Sequence, residues 1–365
     1  MTRSANPYKD LPDNCFWSRT HRGKAANEVD PVVKGGFTIT PKMKVATAGS
    51  CFAQHIARHL QKGGYNYFVA ETVHPIVPEH VAREYGYGVF SARYGNLYTP
   101  RQLLQLAQRA LGQFQPVEDI WKKDDRYFDP YRPNIQPGGF RYNADFTAAR
   151  EAHFAAVRRI LDESDVFVFT FGLTEGWRSK RDGAVFPLAP GVIAGEFKPN
   201  LHEFVNFTVD EIVADFRAFA ELMRARNPGV KFLITVSPVP LVATARAEQS
   251  VITATAYSKA VLRVACEMLA TSLPETYYFP SYEVITGNHA RGAYFGPDLR
   301  EVEEAGVEHV MGLFMKHYTD GAKQRRGRTA AQPVPEEAPG EDFQQMMERE
   351  LQVICDEQMI ERQLK

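Results

Sequence analysis

The residues best placed for chemistry in this chain are Gly49, Ser50 and Cys51, at the point in MKVATAGSCFAQHIARHLQK (residues 43–62) where a short apolar run gives way to a helical pattern. Met43 to Ala48 reads as a buried strand, and Phe52, Ile56 and Leu60 recur at the spacing of one helix face. A side chain in such a turn stands at the carboxyl end of a strand, where open α/β sheets place their ligands. It also stands beside the N–H groups of a helix N-terminus, which favour negative charge. Those conditions suit an activated nucleophile. Two plainer readings stay open: Ser50 as a helix N-cap, and Cys51 as a small core residue rather than a thiolate favoured by the helix N-terminus.

The elements that would position this turn follow in order. Tyr65 to Ala70 reads as a strand, followed by a loop with His74, Pro75 and Pro78. The Gly- and aromatic-rich stretch GYGVFSARYGNLYTP (86–100) feeds a helix, Arg101 to Leu111, and suits a ligand-contacting segment. Residues 113–142, rich in Pro, Asp and aromatics, are expected to form an ordered surface excursion with the makings of a lid. A helix over Ala148 to Leu161 leads to a second apolar strand, Val166 to Phe171, which ends near Thr174, Glu175 and Trp177. Glu175 is either a site residue or an acid at a helix start. A loop is expected from Arg178 to Thr208, then a helix over Val209 to Arg226, a third strand over Lys231 to Val236, and SPVPL. A helix over Ile252 to Leu273, a strand over Tyr277 to Phe279, a Gly-bearing loop and a helix over Val302 to Tyr318 complete the pattern. Apolar strands alternating with helices imply a mostly parallel sheet covered on both faces. Ser50, Gly172 and Ser237 would then share one edge of that sheet.

Composition limits the partners. The 365 residues, 44% of them hydrophobic, can bury a large core. With 43 basic against 44 acidic residues, no overall field recruits nucleic acid or an anionic membrane. The first twenty residues lack a signal-peptide apolar stretch, and no run is long enough to span a bilayer, so a soluble cytoplasmic protein is the expectation. Cys15, Cys51, Cys266 and Cys355 show no metal-ligand spacing, so thiols without a structural zinc are expected.

The expected organisation is a lead-in over 1–37, anchored by Trp17 and Phe37, a main domain over 38–318, a linker over 319–341 and an amphipathic helix over 342–365. In that helix Phe343, Met347, Leu351 and Ile354 recur at helical spacing, which suits packing on the domain or homo-oligomerisation through a second copy. The basic run KQRRGR reads as a solvated linker.

The string Gly49-Ser50-Cys51-Phe52-Ala53 resembles the signature of the GSCFA family, which is itself similar to the SGNH hydrolase superfamily. The resemblance extends through YGN (94–96), FGLTEGW (171–177), TVSPVPL (235–241), YSKAVLR (257–263) and YFPSYE (278–283). It implies an α/β fold, a three-layer α/β/α SGNH-like (flavodoxin-like) domain with a mostly parallel sheet plus a C-terminal helical extension. It also implies a serine esterase or O-acyltransferase acting on a small or carbohydrate-linked acyl ester, with no metal or organic cofactor. Ser50 would be the nucleophile and Gly49 part of its turn. The oxyanion would be held by the Ser50 N–H with Gly95 or Asn96 and with Gly172, and Thr174 and Glu175 would lie nearby. Each well-aimed oxyanion donor lowers such a barrier by about 2.7–4 kcal/mol.

The superfamily's Asp-x-x-His corresponds here to Asp298-Leu299-Arg300-Glu301, so Glu301 stands where the base is expected. A carboxylate near 4.3 is a weaker base than an imidazole near 6.5. His289, in the loop before Asp298, is the first substitute, and His74 and Glu301 are the alternatives. His55 and His59 follow the turn on its helix, and His309 and His317 fall in the final helix. Arg93, Arg132 and Lys259 offer cations for an anionic or sugar substrate, or for ordinary ion pairs. The rival class is a non-catalytic module that keeps the pocket to bind a glycan or acyl ligand.

Overall fold

The structure, a computed structural model, describes residues 6–321 and 356–362. Four strands, β1 (Val45–Gly49), β4 (Val166–Phe171), β8 (Lys231–Val236) and β9 (Thr276–Tyr278), form one all-parallel sheet in the order β1-β4-β8-β9. Side chains alternate between the faces of a strand. Phe167, Phe169 and Phe171 therefore face one way with Phe232, Ile234 and Val236, and Val166, Val168 and Leu233 face the other.

The first face is covered by α4 (Pro100–Ala110), α5 (Asn143–Glu163), α6 (Val209–Arg226) and α7 (Val251–Ser272). The second is covered by α2 (Ala53–Lys62), α8 (Ser281–Thr286) and α9 (Glu304–Tyr318). The result is an α/β/α sandwich whose central strands are buried on both faces, which is why they read as continuous apolar runs. The short helices α1 (Trp17–His21) and α3 (Glu79–Glu84) lie outside these layers.

Several helix starts have local causes. Thr208 accepts the Glu211 N–H while the Glu211 side chain returns to the Thr208 N–H, a capping box that fixes the start of α6 at Val209. Thr99 and Gln102 do the same for α4, with Pro100 in its first turn.

Four expectations change. The stretch expected as a loop from Arg178 to Thr208 contains an antiparallel sheet, in which β5 (Glu175–Ser179) lies between β6 (Val185–Phe186) and β7 (His202–Asn206). Glu175 accordingly opens a strand and does not start a helix. Tyr65 to Ala70 makes only a bridge to the sheet, Val45 opposite Tyr67. Of the two N-terminal anchors, Phe37 packs against Tyr277 and Tyr318, whereas Trp17 is 73% exposed. The excursion is ordered: β2 (Trp121–Lys123) and β3 (Arg126–Phe128) form a hairpin, with Trp121 packed on Phe186. The basic run and most of the stretch expected as a C-terminal amphipathic helix, including Phe343, Met347, Leu351 and Ile354, lie outside the described residues; within that stretch Gln358–Arg362 is helical. Among the described residues no helix is long and apolar enough to cross a membrane.

Candidate active site

The site begins at the end of β1. Gly49 pairs with Thr170 across the sheet and has φ +131°, and a Cβ there would lie 2.3 Å from the Thr170 carbonyl oxygen. Only glycine fits such a backbone so close to its neighbour. The chain then turns through Ser50 and Cys51 into α2. Phe52, which cannot cap through its side chain, occupies the N-cap, so the N-cap reading of Ser50 fails. Ser50 is 2% exposed, and its hydroxyl has no hydrogen-bond partner among the described residues.

Ser50, Cys51, Tyr98, Gly172, Leu173, Ser237 and Glu357 line one cavity of about 10 Å³, room for a single water at most. The three strand ends expected to converge therefore do so, since Ser50 follows β1, Gly172 follows β4 and Ser237 follows β8. Close packing sets their geometry. A Cβ on Gly172 would sit 3.1 Å from the Ser50 Cβ and 2.9 Å from the Tyr98 ring. The buried Lys259 ammonium donates to the Gly172 carbonyl at 2.6 Å, a structural anchor beside the site rather than a cation presented to a ligand.

The expected oxyanion donors divide. The Ser50 N–H already donates to the Thr170 carbonyl at 3.0 Å, and the Gly172 N–H to the Tyr98 carbonyl at 2.9 Å. Asn96 differs. The 95–97 turn is tied to the site because the Leu97 N–H donates to the Gly49 carbonyl at 2.9 Å, and Gly95 supplies its φ of +67°. Asn96 directs its backbone N–H and its Nδ2 at a single carboxylate oxygen, Oδ2 of Asp356, at 3.3 and 3.0 Å. Thr174 and Glu175 serve the scaffold: the Thr174 hydroxyl donates to Asn206, and Glu175 accepts from Thr244. Burial raises the Glu175 carboxyl above its usual range, against the hydrogen bond from Thr244.

The candidate bases lie apart from this cavity. His289 lines a surface groove with Trp17, His21 and Arg22, and burial lowers its basicity. Asp298 is exposed and accepts the N–H groups of Arg300 and Glu301 within its own turn. Glu301 is exposed, and His74 is an exposed turn residue whose Nδ1 accepts the Ile76 N–H. The 298–301 loop reaches the site through Arg300 instead, whose guanidinium donates to the Glu357 carboxylate at 3.2 Å. Among the described residues lining the Ser50 cavity there is one carboxylate, Glu357, and no imidazole.

Arg93 and Arg132 are committed elsewhere. Arg93 donates to the Tyr85 and Ile135 carbonyls, and Arg132 to Asp129 and to the Arg93 and Ala149 carbonyls. Sequence reasoning missed Asn134, Arg300, Asp356 and Glu357 at the site. They sit in an excursion, a turn and the chain's far end, with no local pattern that marks them.

No curated protein and no solved structure matches this chain. Residues 44–314, which run from the strand leading into the Ser50 turn to the last helix of the sandwich, match one sequence family, and on that match the chain belongs to the GSCFA family.

Proposed function

We propose that this protein is an SGNH-type serine esterase or O-acyltransferase acting on a small or carbohydrate-linked acyl ester, with Ser50 as nucleophile. The observation that carries the reading is the buried Ser50 hydroxyl, without a partner among the described residues, at the carboxyl edge of a parallel sheet. In the 95–97 turn, which the Leu97 N–H ties to the Gly49 carbonyl, the two Asn96 donors already grip a carboxylate oxygen. Attack by Ser50 Oγ on an ester carbon converts the carbonyl oxygen to an oxyanion, and Asn96 supplies donors of the required kind for it. Loss of the alkoxide leaves an acyl-serine, which water or an acceptor hydroxyl then resolves.

The Ser50 proton must pass to a base. The resemblance puts Glu301 where that base is expected, and His289, in the loop before Asp298, is the substitute we assign to the role, with Asp298 orienting it. Because His289 lies in the groove beside Trp17, the assignment requires the 287–301 loop to move toward Ser50. The lack of an imidazole among the described residues lining the cavity favours a second reading, a non-catalytic module that binds a glycan or acyl ligand in the same pocket.

Labelling of the full chain with a fluorophosphonate probe, read by peptide mass spectrometry, separates the two. Labelling at Ser50 that disappears in Ser50→Ala supports the esterase, and its suppression in His289→Ala identifies the base. A folded protein that never labels beside a positive control supports the binding module.

A further inference from the structure

Glu357, which lines the Ser50 cavity, and its neighbour Asp356 come from the far end of the chain. Asp356 and Glu357 are 4% and 8% exposed, although both are acidic. Buried carboxylates are tolerated where their oxygens are bonded. Asp356 Oδ2 accepts both Asn96 donors, at 3.3 and 3.0 Å, and its Oδ1 accepts the Asn134 side-chain amide at 2.6 Å. The Glu357 N–H donates to the Tyr98 hydroxyl at 3.2 Å, and the Glu357 carboxylate accepts from Arg300. Three separate segments, the 95–98 turn, the 113–142 excursion and the 298–301 loop, thus form a fitted seat for two consecutive acids.

The chemistry of the occupant is specific. Hydrolysis of an ester yields a carboxylate, and Asp356 places a carboxylate oxygen on the donors that the proposed reaction needs for its oxyanion. We propose that the 356–357 segment is an intramolecular pseudo-product. The Asp356 carboxylate fills the acyl-oxygen seat at Asn96, Glu357 covers Ser50, and the site opens only when the segment leaves. The term pseudo-product rests on the esterase reading, while the closure itself needs only the geometry. A closed site reduces apparent reactivity by the fraction of molecules that are open.

The test reads opening and serine chemistry separately. Cys51 lines the same cavity, is 5% exposed and forms no disulfide among the described residues, so its alkylation by iodoacetamide reports opening without any step at Ser50. Fluorophosphonate reports the nucleophile. Both rates are measured by peptide mass spectrometry in full-length protein carrying Cys15→Ser and Cys355→Ser. That background is compared with the same protein bearing Asp356→Ala and Glu357→Ala. A further variant, Arg300→Ala, loosens the seat from the other side and leaves the tail intact.

If the open state is a minor one of a tenth or less, Cys51 alkylation rises about tenfold or more in both variants, and Ser50 labelling rises with it. Faster alkylation with no Ser50 labelling in any protein keeps the closure and removes the esterase reading. Unchanged alkylation overturns the closure, whether or not Ser50 labels.

Discussion

Two buried polar regions of this molecule hold complementary halves of a familiar catalytic arrangement. At the edge of the sheet, Ser50 has the position of a nucleophile, and no base reaches its hydroxyl among the described residues. Under the 113–142 excursion, His153 and Glu71 are bonded as a base and its orienting acid are in a triad, Nδ1 to Oε2 at 2.7 Å, with nothing bonded to Nε2 among the described residues. The second region carries the stronger titration signal. Burial, with Arg132 adding to it, holds His153 down to about 4. Burial works against ionised Glu71, yet His153, Arg132 and the Arg93 N–H outweigh it and hold the carboxyl down to about 2. Perturbed titration taken alone therefore points away from the Ser50 region. Strand-end position and a buried serine hydroxyl with no partner among the described residues distinguish the Ser50 site, whereas the Glu71 cluster has its charges matched: Glu71 lies near Arg93 and Arg132, and Asp129 bonds Arg132 at 2.7 Å. The first is the region our proposal uses, and the second fastens the excursion to α5.

That division can be broken by mutation. Glu71→Gln leaves the buried Arg93 guanidinium without its carboxylate and Arg132 with Asp129 alone, and should cost about 3–5 kcal/mol in urea unfolding. Fluorophosphonate labelling per folded molecule should persist; a Glu71→Gln protein that stays fully stable but cannot label would place the catalytic pair in the excursion cluster. Asn96→Ala should do the reverse. Made in the Asp356→Ala, Glu357→Ala background, where loss of the seat cannot itself open the site, it should slow Ser50 labelling by about 10²–10³, as for loss of one oxyanion donor, and a rate equal to that background would remove Asn96 from the proposed chemistry.

The smallest effect is one of pH. His153 is held below its ordinary 6.5, to about 4, so the unfolded chain takes up its proton first as pH falls. The stability contributed by the neutral folded imidazole is fully present above 6.5 and is lost as pH drops toward 4. The integrated loss is about 3 kcal/mol. Melting temperature recorded through that window should fall less steeply in His153→Gln, and parallel profiles would show that His153 is not the titrating group.

Legibility in the sequence followed the range of the interactions. β4 and β8 were readable because both faces are buried, leaving uninterrupted runs such as VFVFTF and KFLITV. α6 was readable because its capping box is local. β5 to β7 were not, since each strand is short or half-buried and its partners lie across Pro- and Gly-bearing turns. The Ser50 turn was visible as a strand-to-helix break. Its neighbours Asn134, Arg300 and Glu357 depend on which distant segments fold together, and periodicity carries no such information. Arg93 and Arg132 looked like ligand cations because charge can be read from sequence, whereas the backbone carbonyls that absorb it cannot.

The Asn134 to Asp356 hydrogen bond joins residues 222 positions apart. One end lies in a surface excursion and the other near the chain's end, so neither segment keeps that contact without the other. In the history of the family the two should behave as one heritable unit. Chains that shorten the excursion should also have lost the acidic pair, and a chimera that takes its tail from a relative should need that relative's excursion as well.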